Sequence, residues 1–420
     1  MKGFHYYLCR RLGGGMEISM NPLKYLRKHG VKHAWDVFYR YKADLIIQKA
    51  MRPFLKNKSL QDMIILESHN DFDCNGGALY DYLITNGYNE KYKLVWLLKH
   101  PEEIKRELPH NVVWVAQYKP GFRKNYYKWV AKYLLADQDC EMKLRDEQIS
   151  VYTTHGPVAL KQCRGLMCLP SDINYCLTAS DFYAPIDAYQ FMWDYPNDKL
   201  VVLGFPAHDV FYSDITGDLA KITKQMYEKT ILWMPTFRKA RFNARNDSTK
   251  DQPFGIPLFY TESDLKEFNK FLKIRNILVI IKLHPKQDIR DIRIADYSNI
   301  CVLTGDSVKK LDIDNYRLMK DVDALISDYS SAAYDFLHAN KPLAYDLSDL
   351  NEYKLGLVVE DPHEMMAGHE VRSIKDLYQF IESVYSGQDV FHDERQELLK
   401  KIYKYHDGNS CKRLVEFLGL

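Results

Sequence analysis

The 420-residue chain has no apolar run approaching about 18 residues, so nothing in it reads as a membrane-spanning helix. Its first apolar patch, Phe4 to Cys9, is short and interrupted by His5, which argues against a secretory signal. Eight cysteines include no CxxC pair and no recurrent spacing, so neither a zinc site nor a disulfide framework is signalled; Cys163 and Cys168 read as packing residues. A reducing cytosol is the expected compartment. Glycine pairs at Gly76-Gly77, but no GxGxxG fingerprint follows a strand, and neither an internal repeat nor a low-complexity segment occurs. Neither a metal nor a resident cofactor is expected.

What is present is a folded chain with unevenly spread charge. At 46% hydrophobic residues there is ample material for sizeable cores, and the length suggests two or three domains. The net charge of +2 hides a basic N-terminal arm: residues 1–58 hold 13 Lys/Arg and 3 Asp/Glu, a charge of +10 that leaves −8 for the remainder. Within it, Pro22 to Lys58 interleaves Leu23, Leu26, Trp35, Phe38, Tyr39 and Ile46 with Lys24, Arg27, Lys28, Lys32, Lys42 and Lys49. Bulky apolar residues can sink to the headgroup level while lysines and arginines meet anionic lipid. Three readings compete: an anionic membrane surface bound through residues 22–58, docking on the protein's own surface, or an RNA-binding arm. The pattern favours the membrane, on the cytoplasmic face, and no nucleic-acid partner is expected; homo-oligomerisation is left open.

After Ser59 the chain alternates short apolar runs with amphipathic stretches, the βαβ rhythm of a parallel, doubly wound sheet. Strands are expected at 63–66, 94–98, 112–115, 134–135, 151–153, 175–177 and 201–203. A helix around 219–229 leads to a second α/β unit with strands at 231–234, 277–282, 300–303, 324–326 and 343–345, and residues 374–420 close it with two or three helices. The class is therefore α/β, divided into an arm (1–58), a first domain (59–212) and a second (213–420). A polar loop over 67–77 is expected to open a helix at 78–85, with Gly76-Gly77 either admitting a ligand or making a tight turn. Residues 237–254, rich in Arg, Asn, Asp and Lys, read as a mobile loop over a cleft.

Chemistry concentrates where strands end. Ala324-Leu325-Ile326 stops at Ser327-Asp328-Tyr329-Ser330, and a helix is expected to follow, capped by Ser330 or Ser331, striped by Ala333, Phe336 and Leu337, and stopped at Asn340. A strand feeding a serine-capped helix suits an anion, though two serines can equally cap a core helix. Thr153-Thr154-His155-Gly156-Pro157 turns at the rim of another strand. His155 there can take a proton from a hydroxyl nucleophile, or it can be a surface histidine. Thr236 and Arg238 close one strand, and His284 and Lys286 follow another. Together with Ser330 and Ser331 they would form a pyrophosphate cradle needing no acidic metal cluster.

The order of these motifs, His155-Gly156, Pro235-Thr236-Phe237-Arg238, Leu283-His284-Pro285, then Ser327 to Ser331 with a helix and Lys341-Pro342, resembles the CDP-glycerol glycerophosphotransferase family, the teichoic acid primases and polymerases of Gram-positive bacteria. The likeness spans most of the chain, taking in Glu67 to Gly77, Gly204-Phe205-Pro206, Asp346, Leu350 to Tyr353 and His406-Asp407-Gly408. It implies a GT-B architecture: two Rossmann-like domains with the catalytic cleft between them. It also implies membrane-associated transfer of a polyol phosphate, glycerol phosphate first, from a CDP-polyol such as CDP-glycerol to a hydroxyl of a lipid-linked or polymer acceptor, releasing CMP. His155 and His284 are then expected to be catalytic, and Thr236, Arg238, Lys286, Asp328, Ser330 and Ser331 to face the donor. Asp73, Asn75, Gly76, Gly156 and Lys161 are expected on the acceptor side. Thr154 stands where the family usually has tryptophan, and Pro157 to Lys161 depart from its usual continuation, so the acceptor may differ. The rivals are a CDP-ribitol enzyme, a nucleotide-sugar glycosyltransferase on the same fold, and a non-enzymatic partner in wall or capsule assembly.

Overall fold

A computed structural model describes Arg27 and residues 30–104, 106–167, 169–238, 247–250, 252–284, 287 and 295–420. Two wholly parallel sheets organise the chain. The first comprises β1 (Gln61–Glu67), β2 (Lys93–Leu98), β3 (Val112–Ala116), β4 (Ala131–Ala136), β5 (Ile149–Tyr152), β6 (Tyr175–Leu177) and β7 (Leu200–Val201), in the order β3-β2-β1-β4-β5-β6-β7. The second comprises β8 (Lys229–Met234), β9 (Ile277–Lys282), β10 (Ile300–Leu303), β11 (Ala324–Ser327), β12 (Leu343–Asp346) and β13 (His369–Val371), in the order β10-β9-β8-β11-β12-β13. Each is a Rossmann order, with its topological switch between β1 and β4 and between β8 and β11. Open α/β sheets bind ligands outside the carboxyl ends of strands flanking such a point.

The strands are apolar on both faces because both faces are covered. Along β1, Ile64 and Leu66 join a core that continues into the second sheet through Leu232, Leu325 and Tyr334. Met63 and Ile65 point the other way, into a layer with Tyr127, Trp129 and Leu55. The outer face of the second sheet packs on the helices Glu262–Ile274 and Ile374–Ser386. Both helices begin in capping boxes, Thr261 with Asp264 and Ser373 with Asp376, which satisfy first-turn N–H groups reciprocally. The last helix, Ser410–Leu418, returns to the first sheet: Asp209 accepts from the Ser410 and Cys411 amides at 2.8 Å each, and Tyr133 donates to the Leu418 carbonyl at 3.0 Å.

Some expected boundaries move. The first-domain helix runs Cys74–Thr85, so Asn75, Gly76 and Gly77 form its first turn instead of a loop. That turn is pressed against its neighbours: a Cβ on Gly76 would lie 2.9 Å from the Glu67 carbonyl oxygen, and one on Gly77 2.4 Å from that of Phe72. The pair serves close packing within a helix turn and is not a simple tight turn. The helix expected over 219–229 is only Leu219–Ile222, because Thr223 is extended and the exposed Met226 extends no apolar stripe. The short strand β13 was not anticipated.

Of the arm, residues 1–26 and 28–29, with Leu23, Lys24, Leu26 and Lys28, lie outside the described residues. The helix Val31–Leu55 docks on the first domain: Asp44 meets the Lys124 ammonium and accepts from Asn125 Nδ2 at 2.7 Å, and Gln48 donates to Asn125 Oδ1 at 2.9 Å. Its opposite side leaves Val31, Trp35, Tyr39 and Ile46 between 57% and 74% exposed, on one face with exposed Lys42 and Lys49. No helix among the described residues is long and apolar enough to cross a membrane.

Candidate active site

The loops leaving β1, β4 and β5 meet those leaving β8, β9 and β11 along one seam between the two sheets, the cleft of the fold. The loop after β1 is shaped by three non-glycine residues with positive φ, Asp71 (64°), Phe72 (57°) and Cys74 (55°). Such backbone is costly and persists only where surroundings over-determine it. Here they do: Asp71 accepts from the Lys99 and His100 amides at 2.8 Å each, and Asp73 accepts from Asn70 N at 2.8 Å and Nδ2 at 3.0 Å. Lys99 Nζ donates to the Ser68 and His69 carbonyls at 2.7 and 2.9 Å and pairs with Glu67 at 2.7 Å. Asn75, fully buried, clips three segments together. Its Nδ2 donates to the carbonyls of Thr153 (2.9 Å) and Thr154 (2.7 Å), and its Oδ1 accepts from Ala207 N at 2.9 Å. Asn75 therefore fixes the turn that carries His155.

That turn places His155 half-buried, with Nδ1 3.0 Å from the Asp137 carbonyl oxygen. A carbonyl only accepts, so the bond puts the proton on Nδ1 and the lone pair on Nε2, the tautomer a general base requires. The ring stacks on His69, centroids 4.7 Å apart and planes 15° from parallel. Gly156 has φ +62°, and a Cβ there would lie 2.3 Å from Ser331 Oγ and 2.9 Å from Ser331 Cβ. The His155-Gly156 turn of the first domain thus touches Ser331 of the second. Lys161 donates its amide to the Tyr329 carbonyl at 3.2 Å, reinforcing the same seam. Asp73 joins it electrostatically, facing Lys282.

In the second domain, Ser330 caps the helix Ser331–Asp335, which tightens into a 3-10 turn and stops at Asn340 in the left-handed region, where the sequence expects it. Ser330 and Ser331 are half-buried at the cleft. Asp328, Thr236 and Arg238 occupy a different position: they form a buried lattice beneath the loops. Thr236 gives Asp328 both its amide (2.8 Å) and its hydroxyl (2.5 Å). Arg238 pairs with Asp328 at 2.8 Å and forks onto Asp349 at 2.6 and 3.0 Å, and Tyr329 adds a hydroxyl to Asp349 at 3.0 Å. Burial opposes the Arg238 charge, but Asp328 and Asp349 more than offset it and hold the guanidinium ionised. For Asp349, burial pushes the carboxyl up, and the bonds from Arg238 outweigh it and hold it below the usual range. His284 is half-buried and packs on Phe237, centroids 4.9 Å apart. Lys286 lies outside the described residues, as do 239–246 and 251 of the loop expected over the cleft. Its described end is anchored: Ser248 bridges to Tyr353, and Asp247 N donates to the Arg238 carbonyl at 2.8 Å.

Three features escaped the sequence reading. Asp137, directly after β4, is fully buried and accepts from Gly76 N at 3.1 Å; burial, then Glu67 and Asp73, push its carboxyl well above the ordinary range. An apolar strand ending in Asp137-Gln138-Asp139 was the available signal. Lys282 ends β9 at 7% exposure, its amine making no hydrogen bond among the described residues. Burial lowers its pKa to about 8 against the pull of Asp73. Asp349 lies too far from Arg238 in sequence to be paired with it by reading alone. As for metals, the clustered ligating atoms among the described residues belong to exposed His100, Glu102 and Glu103, on the surface.

Comparison with known proteins agrees with this geometry. Over 234 residues the chain is 28% identical to the teichoic acid ribitol-phosphate polymerase TarL of Staphylococcus aureus, covering 52% of this chain and 37% of that protein. Over 256 residues it is 28% identical to the teichoic acid glycerol-phosphate primase of Bacillus subtilis, covering 59% and 58%. It thus spans roughly two fifths to three fifths of these relatives. The solved structure of the wall teichoic acid polymerase TagF superposes with a TM-score of 0.66 at 16% identity, covering 91% of this chain and 97% of that one, which shows the same GT-B-like fold. Two Rossmann sheets with their switch points facing one cleft are what that fold requires. Since the family model for CDP-Glycerol:Poly(glycerophosphate) glycerophosphotransferase matches residues 50–419, both sheets and every loop of the cleft included, the chain belongs to that family.

Proposed function

We propose that the protein transfers a polyol phosphate, glycerol phosphate first, from a CDP-polyol to a hydroxyl of a lipid-linked or polymer acceptor in the synthesis of a teichoic acid or capsule-type surface polymer. The observation that carries this reading is the contact of the His155-Gly156 turn with Ser331 across the cleft, which brings a base-competent imidazole beside hydroxyl donors suited to a phosphate. His155 Nε2 takes the acceptor hydroxyl proton as the oxygen attacks the polyol-bearing phosphorus. The new O–P bond forms as the bond from that phosphorus to the bridging oxygen breaks, and CMP leaves with the electron pair. Ser330, Ser331 and His284 donate to the phosphate oxygens, and Lys282 supplies a buried positive charge. Arg238, held by Asp328 and Asp349, keeps the loops in register.

The family description supports CDP-glycerol as donor, and TagF has been soaked with CDPG. The ribitol polymer named for TarL keeps CDP-ribitol as a second donor. The exposed face of the helix Val31–Leu55, with Trp35, Tyr39 and Ile46 beside Lys42 and Lys49, supports peripheral attachment to an anionic membrane, where a lipid-linked acceptor lies. Incubation with CDP-glycerol, CDP-ribitol and common nucleotide sugars, each with a polyol-phosphate primer, tests the assignment. CMP release from a CDP-polyol alone is expected. Turnover of a nucleotide sugar instead, or donor binding without turnover under every acceptor, would overturn it.

A further inference from the structure

The stack of His69 on His155 is more than packing. Both imidazoles are anchored by Nδ1 to consecutive residues after β4, His155 on the Asp137 carbonyl and His69 on the side-chain oxygen of Gln138. The Gln138 oxygen is oriented by Lys99, whose ammonium can only donate and lies 3.5 Å away. An amide oxygen only accepts, so His69 too carries its proton on Nδ1 and its lone pair on Nε2. The result is two nearly parallel rings, centroids 4.7 Å apart, in the same tautomer with matching anchors.

We infer that His69 and His155 form a coupled imidazole pair in which His69 is a positioning residue for the base, fixing its ring plane and opposing a second proton on the pair. The inference rests on the role given to His155 above. A proton on one ring places a unit charge against the face of the other, and at such separation like charges in a partly buried site cannot both be held cheaply. The surrounding charges move the titration of the pair as a whole and leave the repulsion between its two rings in place. On the loop of His69 itself, Glu67 is bound to Lys99, while Asp71 and Asp73 accept from backbone amides, neutral donors that cancel no charge. From the end of β2 comes the Lys99 ammonium, which opposes a further positive charge. From the end of β4 come Asp137, whose burial favours its neutral form, and Asp139, which accepts from Tyr118 at 2.6 Å. From the second domain, Lys282 faces Asp73, and the Ser331 hydroxyl is uncharged. His69 thus competes with His155 for a proton and, once charged, keeps the base form of His155 populated to lower pH.

Histidine ring NMR of the ligand-free full chain, titrated with pH, tests this without reference to turnover, using His155→Asn for assignment. In the wild type, His155 should titrate over a broadened range characteristic of coupled sites. In His69→Phe, which keeps a stacked ring without a titrating proton, it should become a simple one-proton curve with its midpoint about 0.5 to 1 pH unit higher. The acid limb of kcat/KM for CMP release from CDP-glycerol should move up by the same interval, with the plateau kcat within about threefold. His69→Gln should show the same shift, and it carries the test if the Phe variant does not fold. A His155 midpoint unmoved in both variants, or a lowered kcat with an unshifted profile, would overturn the inference by reducing His69 to a spacer. If CDP-glycerol is not turned over at all, the functional reading fails while the ring titration still decides whether the pair is coupled.

Discussion

Arg238 sits at 3% exposure between two carboxylates that are themselves fully buried, and its energetics follow from that. Deleting it strands Asp328 and Asp349, and breaking a buried pair from one side costs about 3 to 5 kcal/mol. Arg238→Ala should therefore lower the unfolding free energy read from chemical denaturation by that amount, moving the midpoint to lower denaturant. A variant that loses donor affinity at unchanged stability would show the guanidinium to be a phosphate ligand instead. Lys282 should behave oppositely. Its folded pKa of about 8 lies below the ordinary lysine value, so its contribution to stability is present only above about pH 10 and is lost as pH falls through about 8. At pH 7 the buried charge is a cost. Lys282→Met should thus stabilise the protein by about 1 to 3 kcal/mol while weakening CDP-donor binding about tenfold or more. Donor affinity of the wild type should also decline as the amine deprotonates above about pH 8. A less stable variant with unaltered donor affinity would contradict both halves.

At the scale of elements, the turns that end the strands are where the two domains are held in register. Gly156 is the tightest: it has positive φ and approaches Ser331 so closely that any side chain must collide. Gly156→Ala should cost about 1 to 2 kcal/mol in stability for the left-handed backbone. Turnover should fall about tenfold or more, because a shift of an ångström at the seam misaligns base and phosphate. Normal turnover in a folded variant would mean that the seam is not catalytic. The same elements explain what could be read in advance. Buried parallel strands announce themselves as continuous apolar runs, and Ser330 and Asn340 bracket their helix by local capping chemistry, so β11 and its helix were legible. Asp349 and Arg238, and Gly156 and Ser331, are joined only by tertiary approach, which no local spacing encodes. The Cys74–Thr85 helix began early because Gly76 and Gly77, poor helix formers locally, are required by contacts with Glu67 and Phe72.

For the whole molecule, docking and membrane attachment of the arm are compatible, since one helix face holds Asp44 and Gln48 against the first domain while the other carries Trp35, Tyr39 and Ile46 outward. Removing the arm would also strip Leu55 from the core, so substitution of the outer face is the cleaner test. Trp35→Glu with Tyr39→Glu and Ile46→Glu should keep the fold and abolish co-sedimentation with anionic vesicles. Wild-type binding should weaken near 1 M salt, where the Debye length is about 3 Å. Undiminished binding by the triple variant would assign attachment elsewhere. The central claim is that one cleft, closed by the turn of His155 on Ser331 of the second domain, performs the transfer. Its most direct measurement pairs CDP-glycerol affinity by calorimetry with the rate of CMP release in His155→Ala. Turnover should fall by about 10² to 10⁴ with the dissociation constant within about threefold of wild type; an unchanged rate would remove His155 from the chemistry and contradict the account.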